Sequence, residues 1–262
     1  MSFRDSVKGE METLVLDERN FAIRGPFRMN LCGPTMAGKS KFCLNLIQHH
    51  KKMFSPPVEE ILFCAPYDVE NPTSDRQREF VTAIKLYFPT IQFHVGLPSV
   101  STMINFCETC PGHKLLIADD LMKEVNDDEG FVDLMTKFSH HQSLSVIWSS
   151  QCYFTRGRNK SKFGNTAILQ VSEKVLFNDR SDISWMNLVS SKSFGLGRSN
   201  VLRNAMNIVC DIFPANMANE GDRSGQYLVI DCSQISINDD RMKLKTNIFP
   251  NENNEFEQIF FH

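Results

Sequence analysis

The feature that most constrains this chain is a glycine-containing segment between an apolar run and a helical pattern. The segment is Gly33-x-x-x-x-Gly38-Lys39-Ser40, and the apolar run Met29 to Cys32 precedes it. This spacing is typical of a phosphate-binding loop when a strand precedes it and a helix follows. Glycines let the backbone approach the phosphates, and the following helix directs its free N–H groups and positive dipole end at them.

The pattern also predicts a role for each polar residue of the segment. Lys39 is expected to reach the β- and γ-phosphate oxygens of ATP, and the Ser40 hydroxyl to hold Mg²⁺. The predicted nucleotide-binding residues are Gly33, Pro34, Thr35, Met36, Ala37, Gly38, Lys39, Ser40 and Lys41. The alternative is an ordinary glycine turn with a surface lysine.

Composition limits the classes of protein that this chain can belong to. With 262 residues, 42% of them hydrophobic, it can form one large α/β domain, or a domain with a small appendage. The net charge of −3 excludes the overall basic field of a histone-like binder. No apolar run approaches 18 residues and the first twelve residues are polar, so we expect neither a membrane span nor a signal peptide. Eight scattered cysteines favour a reduced, intracellular compartment.

Apolar runs alternate with helical stripes along the chain, which predicts an α/β fold with a mostly parallel sheet covered on both faces. We expect an N-terminal extension over residues 1–25, in which Leu14-Val15-Leu16 is a flap or an added edge strand. The main domain is expected over residues 26–238. Residues 239–262 are polar without a clear period and are expected to be a C-terminal tail.

A pair of carboxylates follows one of the predicted strands, Leu115 to Ala118. Ligands in open parallel sheets bind beyond the carboxyl ends of the strands, so Asp119 and Asp120 should lie beside the phosphate loop. Asp119 is predicted to hold Mg²⁺ through its water shell. Asp120 is predicted to orient the attacking water or to accept its proton. The alternative is a strand that ends in a polar turn.

A glutamine follows another predicted strand, Leu144 to Ser150. Gln151 can contact the γ-phosphate or the attacking water without adding charge, as a water-positioning glutamine does in other nucleotidases. The alternative is a solvated loop residue.

In this order the motifs resemble those of the FtsK/HerA-type genome-packaging ATPases. The resemblance rests on the phosphate loop, Asp119-Asp120, Ser139-His140-His141 and Gln151. Within that group the chain looks most like the ATPases of Polinton-like viruses and adintoviruses, which are related to those of poxviruses and adenoviruses. The stretch Lys245 to Pro250 also resembles the group. Two features depart from it, since Asp120 stands where related motors often have Glu, and Leu169-Gln170 where relatives have Leu-Asn.

The resemblance implies a P-loop NTPase fold of the RecA-like (ASCE) type, a three-layer sandwich in which the Gln151 strand lies between the phosphate-loop strand and the Asp119 strand. It also implies an ATP-hydrolysing motor that moves double-stranded DNA into a viral capsid, at a portal vertex, as a homo-oligomeric ring of five or six subunits. The compartment is then the nucleus or cytoplasm of an infected cell, or the virion, and no membrane partner is expected.

Some basic and metal-ligating residues remain open to more than one interpretation. The run Arg156, Arg158, Lys160 and Lys162 is a solvated loop, a contact to the DNA backbone, or the source of an arginine finger. Arg180 is a competing finger, and Arg156 and Arg180 are both carried as catalytic candidates. The spacing Cys107-x-x-Cys110-x-x-His113 suggests zinc, but no second pair completes four ligands, and reduced cysteines are favoured.

Two other functions remain open at this point. A nucleotide kinase would have an acceptor pocket and an arginine-rich lid, and would not need Gln151 on a central strand. A nucleotide-binding scaffold would bind ATP and hydrolyse nothing.

Overall fold

The computed structural model describes residues 11–16, 22–135, 139, 142–151, 167–168, 170–179, 184–194, 199–214, 225–232 and 244–261. The fold is α/β, as predicted. The chain divides into two compact units. The parallel unit contains Ala22–Leu31 and Ser40–Val171, and the antiparallel unit contains Met1–Phe21, Cys32–Lys39 and Ser172–His262.

The strands in the described part of the chain are β1 Met11–Leu16, β2 Ile23–Arg24, β3 Arg28–Cys32, β4 Phe54–Ser55, β5 Val58–Ala65, β6 Gln92–Val95, β7 His113–Ala118, β8 Leu144–Ser150, β9 Glu173–Phe177, β10 Tyr227–Asp231, β11 Leu244–Thr246 and β12 Phe256–Phe261. The helices there are α1 Lys39–Gln48, α2 His50–Met53, α3 Asp75–Tyr87, α4 Val100–Glu108, α5 Met122–Asp127, α6 Glu129–Asp133, α7 Ser184–Phe194 and α8 Val201–Ile212. None of these helices is long and apolar enough to cross a membrane.

The strands of the parallel unit follow the order β3-β8-β7-β5-β6. The pairs β8–β7, β7–β5 and β5–β6 are parallel. Along β3 and β8 the bonded partners rise together, from Phe27 with Val146 to Asn30 with Trp148, so this pair is parallel too. The predicted position of the Gln151 strand, between the phosphate-loop strand and the Asp119 strand, is therefore confirmed.

Helices cover both faces of this sheet, and its strands β3, β5, β7 and β8 are accordingly buried along most of their length. On one face Phe63 of β5 packs on Phe80 of α3, with ring centroids 5.8 Å apart. On the other, Trp148 of β8 packs edge-on against Phe131 of α6, also at 5.8 Å. Helix α3 begins with a capping box, in which Ser74 and Gln77 satisfy each other's backbone N–H groups.

The antiparallel unit has the strand order β1-β12-β11-β10-β9, and each neighbouring pair in it is antiparallel. The Leu14-Val15-Leu16 patch lies in the edge strand β1, one of the two alternatives for it. The segment expected to be a C-terminal tail, residues 239–262, contains the strands β11 and β12. Strand β11 has only three residues, and β12 is buried along most of its length, so neither shows a strand period in the sequence.

A buried histidine anchors the start of the parallel sheet. The two ring nitrogens of His113 lie 2.7 Å from the Pro56 carbonyl oxygen and 2.7 Å from the Ser145 hydroxyl oxygen. Ser145 in turn accepts the Phe27 N–H at 2.9 Å, so β3, β7 and β8 are joined through this network. Since a carbonyl only accepts, the neutral ring donates to Pro56 and accepts from Ser145.

Burial lowers the pKa of His113 from its ordinary value. The folded chain therefore keeps the ring neutral at pH values where the unfolded chain protonates it, below about pH 6.5. The contribution of His113 to stability is complete above that pH and is lost as the pH falls. We expect the free energy of unfolding to fall more steeply between about pH 7.5 and 5.5 in the wild type than in His113→Gln. Urea denaturation at both pH values measures the free energy of unfolding. An equal fall of this free energy in the wild type and in His113→Gln would contradict the expectation.

Candidate active site

The loop between β3 and α1 has the backbone conformation of an anion-binding turn. Met36 and Gly38 both lie in the left-handed region, with φ of 63° and 101°. The Ala37 N–H donates to the Pro34 carbonyl oxygen at 3.2 Å, which closes a turn inside the loop. Left-handed residues within a turn direct successive N–H groups toward one concave side, where an anion can bind. Met36 is 65% exposed, and Thr35 is exposed as well.

Lys39 folds back over this loop. Its ammonium donates to the Gly33 carbonyl oxygen at 2.6 Å and to the Pro34 carbonyl oxygen at 2.8 Å. The two bonds hold the charge of Lys39 at the loop itself, where phosphate oxygens would meet it. Lys41, two residues further along α1, is exposed.

Gly33 is required for close packing at the start of the loop. A Cβ built at this position would lie 2.6 Å from the Cβ of Phe177, which cannot swing away as the end of a flexible side chain can. Gly33→Ala is therefore expected to displace the loop and to lower nucleotide affinity at least about tenfold, equivalent to about 1.4 kcal/mol. Isothermal titration with ATP measures this.

The matched control for Gly33→Ala is Gly225→Ala. A Cβ at Gly225 would make ordinary contacts, the nearest at 3.5 Å to Phe213. Unchanged affinity in the Gly33 variant, or an equal loss in the control, would contradict the packing argument.

Ser40 and Asp119 meet where the loop ends and β7 ends. The Ser40 hydroxyl, one residue after Lys39, donates to Asp119 Oδ2 at 2.7 Å. Asp119 is 8% exposed, and its N–H donates to the Cys64 carbonyl oxygen at 2.9 Å, which extends the pairing of β7 with β5 by one residue. The structure thus brings Ser40 and Asp119 together, and their role at a magnesium ion stays a prediction.

The two oxygens fit the ligand preferences of Mg²⁺. This ion takes oxygen ligands at about 2.0–2.1 Å in an octahedron, so adjacent ligands are about 2.9 Å apart. The Ser40 hydroxyl and the Asp119 carboxylate are both oxygen groups of this kind, and their hydrogen bond of 2.7 Å keeps them side by side. Ser40 is exposed at the rim, so an ion can reach the pair from solvent.

Asp120 has an unusual backbone conformation. Its φ is 56°, in the left-handed region that residues other than glycine seldom adopt, although Asp and Asn tolerate it better than most. Its N–H donates to the Ser149 hydroxyl at 2.7 Å. Its carboxylate is exposed, as a group that orients a water must be.

Gln151 follows β8 directly and is exposed at the same edge of the sheet. Its N–H donates to the Met122 sulfur at 3.3 Å. Because β8 lies between β3 and β7, this residue stands at the end of a central strand. On its β3 side the preceding Ser150 is paired with Asn30, whose side-chain amide lies 3.2 Å from the Ser150 hydroxyl oxygen.

Four further residues, which no sequence motif marks, support this site. Ser149, Ser150 and Asn30 hold the end of β8, and Tyr67 follows β5 close enough to the carboxylates to interact with them. Burial raises the pKa of the Tyr67 phenol, and the charges of Asp119 and Asp120 raise it further. A serine or an asparagine inside a largely apolar strand looks like an ordinary core residue in the sequence. Only Tyr67, which lies shortly after the end of β5, occupies a position that suggests a role.

Several other predicted residues lie outside the described part of the chain. These are Arg156, Arg158, Lys160, Lys162, Arg180, His140 and His141. Among the residues that the structure describes, no group of His, Cys, Asp and Glu could hold a metal ion as a cluster of three or more. His113 of the Cys107-x-x-Cys110-x-x-His113 pattern is the anchoring residue described above.

Comparison with known proteins gives structural likenesses at low identity. No family model matches the chain, and no curated protein matches its sequence. It is similar to the DNA-packaging ATPase B204 from Sulfolobus Turreted Icosahedral Virus, at 12% identity and a TM-score of 0.45, over 78% of this chain and 92% of that one. A second similar structure is the genome packaging NTPase B204 from Sulfolobus turreted icosahedral virus 2, in complex with ATP-gammaS, at 14% identity and a TM-score of 0.39, over 78% and 91%.

A third similar structure is Thermomonospora curvata EccC (ATPases 2 and 3) in complex with a signal sequence peptide. Its identity is 14% and its TM-score 0.38, over 57% of this chain and 29% of that one. Similarities at this level do not carry a function, which has to be argued from the geometry of the site itself.

Proposed function

We propose that this chain is a Mg²⁺-dependent ATPase whose site is built from the phosphate loop and the ends of β7 and β8. The observation that carries the proposal is the 2.7 Å contact between Ser40 Oγ and Asp119 Oδ2. It joins the residue that follows the loop lysine to a buried carboxylate 79 positions later. An ordinary glycine turn, which binds no phosphate, does not require a serine in contact with a carboxylate at the end of a strand.

Each of the site residues has a separate role in the proposed hydrolysis. Lys39 and the loop N–H groups bind the β- and γ-phosphates, and Ser40 with Asp119 would hold Mg²⁺. The ion, when bound, neutralises charge on the phosphate oxygens. Asp120 orients the attacking water and accepts its proton, and Gln151 fixes that water against the γ-phosphate. Most of the catalysis is then positioning and electrostatics.

Phosphate release from ATP in the absence of any acceptor tests this activity. We expect release that stops when EDTA removes Mg²⁺ and resumes when Mg²⁺ is restored in excess. Transfer of phosphate only to an added nucleotide would instead indicate a kinase. Nucleotide binding without release under every condition would indicate a scaffold.

The work that hydrolysis drives is, in our proposal, movement of double-stranded DNA into a viral capsid. The support is the resemblance of the ordered motifs to the FtsK/HerA-type packaging ATPases, including the place of the Gln151 strand. We propose a homo-oligomeric ring as the active form. Because the net charge is −3, contacts to DNA have to come from local basic groups, and a ring brings the basic groups of several subunits together. Arg156 or Arg180 is then the candidate finger toward a neighbouring subunit, and the reduced interior of an infected cell is the proposed compartment.

Duplex DNA is expected to accelerate phosphate release, and light scattering is expected to show a ring-sized particle with ATP and DNA. A strict monomer under all conditions, with release indifferent to DNA, would contradict translocation but not hydrolysis.

A further inference from the structure

We propose that the buried hydroxyl of Ser149 is a positioning group for hydrolysis, which locks the water-orienting carboxylate of Asp120 to the strand end that carries Gln151. This inference rests on the proposed ATPase function and deepens it. It assigns a role to a residue that touches neither phosphate nor metal.

Ser149 supports the backbone conformation of Asp120. Asp120 has a φ of 56°, in a region that residues other than glycine seldom adopt, although Asp tolerates it better than most. The Asp120 N–H donates to Ser149 Oγ at 2.7 Å, the short end of the normal range for such a bond. The bond therefore selects the backbone turn from which the Asp120 carboxylate projects.

Ser149 stands where two strand ends of the sheet meet. It lies two residues before Gln151 on β8, and β8 is the neighbour of β7, which Asp120 follows. The hydroxyl thus joins two strand ends beyond the last paired residues, Ala118 and Trp148. The Gln151 N–H bond to the Met122 sulfur also links these ends, but the Ser149 bond is the one that contacts Asp120 itself.

Ser150 supplies a matched control. It is the next residue on β8, is 6% exposed, and its hydroxyl is also hydrogen-bonded, to the Asn30 side chain. That bond joins β8 to β3, on the side of the strand away from Asp120. Ser149→Ala and Ser150→Ala therefore remove equivalent groups from one strand end, and only the first frees Asp120.

The test combines steady-state turnover, ATP affinity and amide exchange of Asp120 in the full chain. We expect Ser149→Ala to lower kcat at least about tenfold, the value of one hydrogen bond, with the Kd for ATP within about twofold. The Asp120 amide should exchange at least about tenfold faster, and Ser149→Thr, which keeps the oxygen, should recover most of both. Ser150→Ala should lower Tm while leaving the Asp120 amide protected.

Three results would overturn the inference: wild-type kcat in Ser149→Ala, unchanged protection of the Asp120 amide in that variant, or an equal loss of this protection in Ser150→Ala. The three results are compared with a wild type that hydrolyses ATP. Each of them would therefore contradict this role of Ser149 and leave the ATPase assignment intact. Absence of turnover in the wild type would overturn both.

Discussion

Lys39→Ala is expected to reduce the rate of phosphate release from ATP by about 10²- to 10³-fold, the effect of removing one preorganised charge from a transition state. Two losses add up in this variant. The ammonium that would bind the β- and γ-phosphates is gone, and so are its bonds to the carbonyl oxygens of Gly33 and Pro34 at 2.6 and 2.8 Å. Nucleotide affinity should fall together with turnover, because the lysine contacts the ground state as well.

Lys39→Arg is expected to release phosphate little faster than Lys39→Ala. The guanidinium is a planar fork, whereas the two carbonyl oxygens enclose a compact ammonium. Turnover and ATP affinity are measured together, with Lys51→Ala as the control, since Lys51 is an exposed lysine in the short helix α2. Near-normal release from Lys39→Ala would show that this loop does not bind the reacting phosphate.

Asp120→Asn is expected to separate catalysis from binding. Asparagine tolerates a left-handed φ as aspartate does, and its backbone N–H can still donate to Ser149. The substitution therefore removes the charge with little change of shape. We expect kcat to fall about 10²- to 10³-fold, the range for losing a positioned proton acceptor, with the Kd for ATP nearly unchanged.

The control for Asp120→Asn is Asp127→Asn, the same change of charge at the exposed end of helix α5. Single-turnover phosphate release and equilibrium ATP binding are the two measurements. If Asp120→Asn weakened ATP binding and kept kcat, the residue would act on the ground state and would have no role with the attacking water.

The parts of this site that could be predicted from the sequence are those where an apolar strand stops at a polar residue. Asp119 and Gln151 follow strands that are buried on both faces and have an apolar middle, and the glycine spacing marks the loop. Because parallel strands bring their carboxyl ends to one edge, the order of motifs was enough to expect Ser40 and Asp119 together.

The groups that hold the site in shape could not be predicted in the same way. Ser149 and Ser150 lie inside a fully buried strand, and Asn30 inside another, so their partners depend on which strands become neighbours. That information resides in long-range pairing, which no local pattern contains. The antiparallel unit was missed for a related reason, since β12 is stabilised by β1 from the opposite end of the chain.

A crystal structure with Mg²⁺ and a non-hydrolysable ATP analogue tests the central claim most directly. The account predicts the terminal phosphate against Lys39, the ion about 2.1 Å from Ser40 Oγ, and the Asp119 carboxylate on the ion or on one of its waters. A nucleotide bound away from the loop, or an ion that contacts neither Ser40 nor Asp119, would contradict it.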